Sequence, residues 1–232
     1  MRKPLAERDE NLQELMDDPQ CDPRRLDATF RRFGLVNRAV SGWDSIYASH
    51  VRPFLSSLQR PARVLDLGSG GGDVLRRLSQ LVAKDRLTVE WTGADPDPRA
   101  HRAATRKGPA HVRFLCTDAE TLRRSGETFD LVITNHVIHH IPSPELKSFA
   151  HASRMLASGL VLHNDIARSR LAYRLYAIGV TPVSPGTFLK TDGLRSIRRS
   201  YTAPELSSAL ADPWTVTSAA PFRVLAEAPG GA

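Results

Sequence analysis

The residues that first invite chemistry are the four glycines of Val64-Leu65-Asp66-Leu67-Gly68-Ser69-Gly70-Gly71-Gly72-Asp73-Val74. An apolar run enters them and a helical pattern leaves them. Glycines in that position let the backbone turn tightly and approach a ligand at a helix N-terminus. The flanking charges decide which ligand. A dinucleotide fingerprint begun at Gly68 and Gly70 needs its third glycine at position 73, where Asp73 stands. A carboxylate there crowds helix–strand packing and repels a pyrophosphate, and Asp66 adds negative charge just upstream. The loop disfavours a phosphate and favours a cationic head group.

A second group is Asn135-His136-Val137-Ile138-His139-His140-Ile141, which holds three of the eight histidines within five residues. Imidazole is the natural base for a phenolic hydroxyl, whose pKa is about 10. If this segment is helical, His136 and His140 share a face with His139 beside them. His140 stands first as candidate base, then His139 and His136, and at least one of the three is expected to be an ordinary hydrogen-bonded residue. No carboxylate sits at ligand spacing, so no metal is expected. Downstream, Asp165 in His163-Asn164-Asp165-Ile166-Ala167-Arg168-Ser169 is placed to orient or deprotonate a hydroxyl, and Arg168 to steady a phenolate or carboxylate. The competing reading has Asp165 capping the next helix and pairing with Arg168.

The elements that must position these groups follow from apolar rhythm. Arg63–Leu67, Leu87–Ala94, Val112–Cys116, Phe129–Thr134 and Gly159–His163 read as strands; Asp73–Ala83, Pro98–Lys107 and Pro144–Leu156 read as helices. Their alternation implies right-handed crossovers and a parallel sheet covered on both faces. Trp214–Ser218 and Phe222–Ala226 read as two further strands pairing antiparallel, after a helix opened by Tyr201-Thr202-Ala203-Pro204-Glu205. Ahead of the sheet, Asp22-Pro23 starts a helical region in which Leu26, Phe30, Phe33, Val36, Val40, Trp43, Ile46, Tyr47 and Val51 recur at three- and four-residue steps. The expected fold is α/β, a Rossmann-like, doubly wound, mostly parallel seven-stranded sheet with an antiparallel last strand. A helical cap at 1–60 precedes a domain at 61–228, a lid insert spans 167–200, and 229–232 is a tail. Trp43 and Tyr47, with Leu171, Leu175 and Ile178, are candidates for an apolar pocket wall.

Composition bounds the rest. The 232 residues suffice for one domain with its own core. Lys+Arg 32 against Asp+Glu 25 gives +7, carried almost wholly by arginine and dispersed in short pairs rather than one block. That pattern suits a solvated surface better than a nucleic-acid face. Two cysteines, Cys21 and Cys116, make no disulfide framework, and Cys116 is expected to be a buried thiol. The start, Met1 to Asp9, has no apolar run of a signal peptide, and no membrane-spanning run exists. A cytoplasmic monomer or homodimer is expected.

On these motifs the chain resembles the class I S-adenosylmethionine-dependent methyltransferases. Their acidic-x-Gly-x-Gly-x-Gly motif is matched by Asp66, Gly68, Gly70 and Gly72. The resemblance implies S-adenosylmethionine as cofactor, with Ser69 and the glycines around its methionine part. It further implies Asp95 and Pro96 at the ribose, Asp118 and Ala119 at the adenine, and Asn135 beside the methionine end. Asp130, in the same fourth motif, is expected to be structural. The Asn/Asp-Pro-Pro-Tyr/Phe signature of amino-methylating branches is missing after strand four, where Asn135-His136-Val137-Ile138 stands. The C-terminal third looks like bacterial enzymes acting on phenolic or polyketide-type products. The expected function is O-methylation of a hydrophobic aromatic small molecule in secondary metabolism, with Trp43, Tyr47, His136 and Arg168 around the substrate. The alternatives are C-methylation of an activated ring, RNA modification, and a cofactor-binding regulator without chemistry.

Overall fold

The computed structural model describes residues 5–232; Met1 to Pro4 of the leader segment read above lie outside the described residues. One seven-stranded sheet runs through the chain in the order β3-β2-β1-β4-β5-β7-β6. Its strands are β1 (Ala62–Leu67), β2 (Val89–Ala94), β3 (Val112–Leu115), β4 (Phe129–Asn135), β5 (Ala157–Ile166), β6 (Thr215–Ala219) and β7 (Arg223–Pro229). The first five are parallel, and β7 runs antiparallel to both β5 and β6. Strand order reverses between β1 and β4, so the crevice for a ligand opens at the carboxyl ends of those two strands.

Each sheet face has its own core because side chains alternate along a strand. Val64, Leu131, Ile133 and Leu162 pack beneath Trp43, Ile46, Tyr47, Val51 and Leu55. Leu65, Val132 and Val161 pack on the other side against Leu122, Leu146 and Leu206. The first layer comes from α2 (Trp43–Ile46), one π-helical turn (Tyr47–Val51), α3 (Arg52–Ser57) and α4 (Asp73–Lys84); α5 (Pro98–Lys107) covers the sheet beside β3. The second layer comes from α6 (Ala119–Arg124), α7 (Leu146–Met155) and α10 (Ala203–Leu210), the last opened by the expected capping box of Thr202 and Glu205.

Three helical pieces cross the carboxyl ends of the strands: α1 (Pro23–Val40), α8 (Arg170–Gly179) and α9 (Leu189–Arg199). Asp22 caps α1 by accepting from the backbone N–H groups of Arg24 and Arg25, as its sequence predicted. The α9 helix and α6 had no sequence signal; Lys190, Thr191, Asp192 and Gly193 interrupt the apolar period of α9. The pieces are tied together by polar contacts: Phe188 N–H donates to Thr29 Oγ1 at 2.9 Å, and Arg25 donates to the Thr187 carbonyl at 2.9 Å. Asp192 accepts the backbone N–H groups of Leu15 and Met16 at 2.8 and 3.0 Å, which pins the single 3-10 turn Leu15–Asp17 onto α9.

Many dispersed arginines are engaged locally, among them Arg60 with Asp130, Arg77 with Asp44, Arg113 with Glu127, and Arg123 and Arg124 with Glu120. Asp130 is thus the structural carboxylate the sequence suggested, at the end of β4 remote from the crevice. Cys116 is exposed, not buried: it follows the last residue of the short β3. Among the described residues no helix is long and apolar enough to cross a membrane.

The Asp192 contacts carry a prediction. Asp192→Ala strands two backbone N–H groups of the first turn, and urea unfolding is expected to show a loss of about 1–3 kcal/mol. A loss below a few tenths would mean that the turn is held by other contacts.

Candidate active site

A cavity of about 790 Å³ lies between the strand ends and the α1, α8 and α9 layer. At one end it is bordered by Asp66, Gly68, Ser69, Gly70, Asp73, Asp95 and Pro96, and at the other by Glu14, Asp17, His139 and His140. Phe30, Phe33, Leu35, Val36, Leu175, Val180, Leu189 and Ile197 supply apolar walls between them.

The glycine loop is shaped by what surrounds it. Gly68 has φ +73°, and a Cβ there would lie 2.5 Å from Val137. Gly70 has φ +52°, and a Cβ there would meet no protein atom within 4 Å, at a position that borders the cavity. Its N–H donates to Asp95 Oδ2 at 2.8 Å, and the Asp97 N–H donates to Asp95 Oδ1 at 2.9 Å, so the carboxylate at the end of β2 braces the loop. Burial raises the Asp95 pKa, and these two N–H donors oppose the rise.

Asp66 is the anomaly of this end. It is 1% exposed, and neither carboxylate oxygen has a hydrogen-bond partner among the described residues. Burial, then the charges of Asp73 and Asp95, push its pKa well above the usual carboxylate range. A buried carboxylate without donors is costly. A cationic ligand at the cavity would remove that cost, whereas a phosphate would add to it. The donor set therefore fits S-adenosylmethionine, with Asp66 toward its positive charge and Asp95 toward a diol.

At the other end the histidines divide into three roles. Ile138–His140 forms a 3-10 turn, not an α-helix, and His136 precedes it with φ +60°. His139 is 1% exposed. Its Nδ1 donates to Asp165 Oδ1 at 2.7 Å, its backbone N–H donates to Asp165 Oδ2 at 2.8 Å, and its Nε2 lies 3.4 Å from Glu14 Oε1. Burial alone would depress this imidazole, but Asp165 and Glu14 outweigh it and lift the pKa to about 9. Burial raises Glu14, yet His140 and His139 hold it at about 2. His139 is therefore an imidazolium at neutral pH, clamped between carboxylates. His136 is the opposite case: burial, then Arg223, press its pKa well below the usual imidazole range, so it is neutral. His140 keeps 31% of its side chain exposed, with Nε2 3.7 Å from Glu14 and Nδ1 3.3 Å from Asp17.

Glu14, His139 and His140 also bring one ligand atom each within 4.8 Å of one another, although no metal was expected. The proton on His139 holds that place at neutral pH, and a divalent ion would have to displace it.

Several expected assignments change. Asp165 does not cap the next helix or pair with Arg168; it holds His139, Ser169 caps α8, and Arg168 pairs with Glu205 while donating to the Ser200 carbonyl. Arg168 does not border the cavity, because its side chain ties β5 to the start of α10. Trp43 and Tyr47 belong to the core: the Trp43 indole N–H donates to Asn135 Oδ1 at 3.1 Å, and the Tyr47 hydroxyl donates to Asp85 at 2.6 Å. Asp118 caps α6 through the Thr121 N–H, and Ala119 packs in the core behind it, so neither borders the cavity. Gly72 is required by packing, since a Cβ there would lie 2.8 Å from the Phe114 ring. Of these apolar candidates, Leu175 borders the cavity, and Leu171, Leu175 and Ile178 are all exposed. Sequence reasoning missed Glu14, which stands in a polar stretch without period. It also missed Arg223, whose signal was a basic residue on the same strand face as the buried Leu225.

Comparison with known proteins places part of the chain. Residues 64–159 match the model of a family described as a methyltransferase domain. The chain is 35% identical over 116 residues to the ubiquinone biosynthesis O-methyltransferase of Rhizobium leguminosarum bv. trifolii, covering 49% of this chain and 44% of that protein. It is 28% identical over 151 residues to the enzyme of the same name from Parvibaculum lavamentivorans, covering 64% and 55%. Residues 64–159 thus carry a methyltransferase domain. It spans about half the length of the curated relatives it matches. Among solved structures, the plantazolicin methyltransferase BpumL, determined with S-adenosylhomocysteine, superposes with a TM-score of 0.57 at 14% identity over 90% of this chain and 96% of that one. The CurJ carbon methyltransferase superposes with a TM-score of 0.64 at 16% identity over 92% and 62%. These two likenesses establish the fold. The S-adenosylhomocysteine bound by BpumL is a ligand of the kind that the donor set around Asp66 fits.

Two predictions follow from this geometry. Asp66→Ala is expected to weaken S-adenosylhomocysteine binding by at least about tenfold, the loss of a charge-assisted contact, as read by calorimetry. Unchanged affinity would move the cationic end elsewhere. The raised pKa of His139 means that its stabilising contribution is complete below about pH 6.5 and is lost as pH rises through about 9. The unfolding free energy should fall across that window and fall less steeply in His139→Asn; parallel profiles would refute the clamp.

Proposed function

We propose that this methyltransferase methylates a hydroxyl group of a hydrophobic aromatic small molecule, with His140 as the base. The observation that carries the reading is the cavity itself: about 790 Å³, joining an acid-lined glycine loop to a histidine pair through apolar walls. Its size suits a drug-sized ligand. The bound cofactor supplies a methyl group on a sulfonium, transferred by in-line displacement, so most of the protein's work is positioning and exclusion of water. Asp66 and Asp95 hold one reactant. Phe30, Phe33, Val36 and Leu175 border the space for the other.

The acceptor oxygen must shed a proton, and the three histidines differ in fitness to take it. His139 already carries a proton and faces two carboxylates. His136 is engaged with Arg223 through Nε2 at 2.5 Å. His140 is exposed enough to reach a hydroxyl, and Glu14 and Asp17 lie 3.7 and 3.3 Å from its ring nitrogens. The name of the curated relatives, O-methyltransferases of ubiquinone biosynthesis, supports oxygen as the accepting atom and an apolar phenol as the class.

His140→Ala is expected to lower kcat about 10²–10⁴-fold on a phenol panel while leaving S-adenosylhomocysteine affinity within twofold. An unchanged kcat would remove His140 as the base. Fragmentation of the product in a mass spectrometer reads the site of attachment, and methyl on ring carbon would overturn the choice of oxygen.

A further inference from the structure

One charged residue at the cavity is not used by the transfer just described. Arg223 opens β7, is 2% exposed, and borders the cavity. Its Nε donates to Asn164 Oδ1 at 3.0 Å, its Nη2 to Asn135 Oδ1 at 3.3 Å, and its Nη1 to His136 Nε2 at 2.5 Å. None of these partners carries negative charge. Asp165 is the acid that acts on the guanidinium, but its oxygens already accept from His139 Nδ1, the His139 N–H and the Ile166 N–H. A guanidinium has five N–H donors, and three are placed on neutral acceptors. Keeping a cation buried without a direct counter-charge is unfavourable unless an anion joins it.

The same bonds set the polarity of the neighbouring side chains. His136 accepts at Nε2, so its proton resides on Nδ1, which has no protein partner among the described residues. Asn135 Oδ1 accepts from Trp43, Asn164 and Arg223, which fixes the amide orientation and leaves Nδ2 without a protein partner among the described residues. Both residues border the cavity. Three side chains from β4, the turn after it and β7 therefore offer N–H donors and no acceptor. The carboxylates Glu14, Asp17, Asp66, Asp73 and Asp95 also border the cavity, and the charges of Asp165 and Glu14 act on His136 beside the weightier Arg223.

We propose that Asn135, His136 and Arg223 form an anion subsite that takes the carboxylate of an acidic aromatic acceptor. This rests on the aromatic-acceptor reading above and narrows it to hydroxylated aromatic acids. The cofactor's own methionine carboxylate offers the same chemistry, and the test separates the two sources.

The experiment is calorimetry on the full chain saturated with S-adenosylhomocysteine, titrated with 4-hydroxycinnamate and with its neutral amide. The wild type is expected to bind the acid at least tenfold more tightly than the amide. Arg223→Gln and His136→Ala are each expected to bring that ratio toward one, with S-adenosylhomocysteine affinity held within threefold. Equal binding of acid and amide by the wild type, or binding of neither, overturns the subsite, as does a ratio that persists in both variants. Loss of S-adenosylhomocysteine affinity with an unchanged acid-to-amide ratio assigns the donors to the cofactor and overturns it too. If Arg223→Gln does not fold, His136→Ala alone decides, because it leaves the guanidinium in place. Methyl transfer to neutral phenols without preference for acids would sink the subsite and leave the proposed function standing. Tight binding of the acid without methyl transfer to any hydroxyl would do the reverse.

Discussion

A carboxylate withdrawn from water must find protons elsewhere, and Asp165 finds two of its three on one residue. It accepts from the ring and from the backbone N–H of His139, which joins the end of β5 to the turn that follows β4. Much else at the histidine end follows from that pair. With Nδ1 fixed, Nε2 of His139 can point only toward the first turn of the chain, where Glu14 meets it. Glu14 in turn accepts from Ser196 of α9 at 2.7 Å. One buried ion pair thus aligns two strand ends, a 3-10 turn, the leading segment and the covering helix. Removing one partner of such a cluster leaves the other charged and buried, which costs far more than the pair contributes when intact.

The two ends of the cavity solve the problem of buried charge in different ways. At the histidine end each carboxylate has its cation or donor within the fold. At the glycine loop Asp66 has none, and near β7 Arg223 has only neutral partners. Many of the surface arginines, by contrast, pair with nearby acids. Among the described residues, Asp66 at the loop and Arg223 on the last strand, both bordering the same cavity, have no hydrogen-bond partner of opposite charge.

The sheet was legible because its physics is local. Val64 to Gly72, Phe129 to Asn135 and the alternation of strands with amphipathic helices signal a parallel sheet without reference to distant residues, and Asp66 was recognisable by its place before the glycines. The histidine cluster was visible as a composition, but its division of labour was not. Whether His139 is a base or a fixed cation depends on Asp165 and Glu14, which stand 26 and 125 positions away in the chain. Arg168 and Trp43 misled for the same reason: polar and aromatic types suit a pocket or a brace equally well, and only tertiary contacts choose. Cys116 sat in an apolar run whose strand stops one residue short of it.

The docking of the first turn against α9 also bears on how the chain is made. Leu15 meets Asp192 across 177 positions, and Glu14 meets Ser196 across 182. Synthesis from the amino end delivers Glu14 long before the helix that will hold it. The leading segment must wait, solvated and unanchored, until most of the sheet has been extruded. The half of the cavity that carries the histidines therefore takes its shape only once α9 has been made, and a nascent chain stopped before α9 would possess the glycine loop without that helix above it.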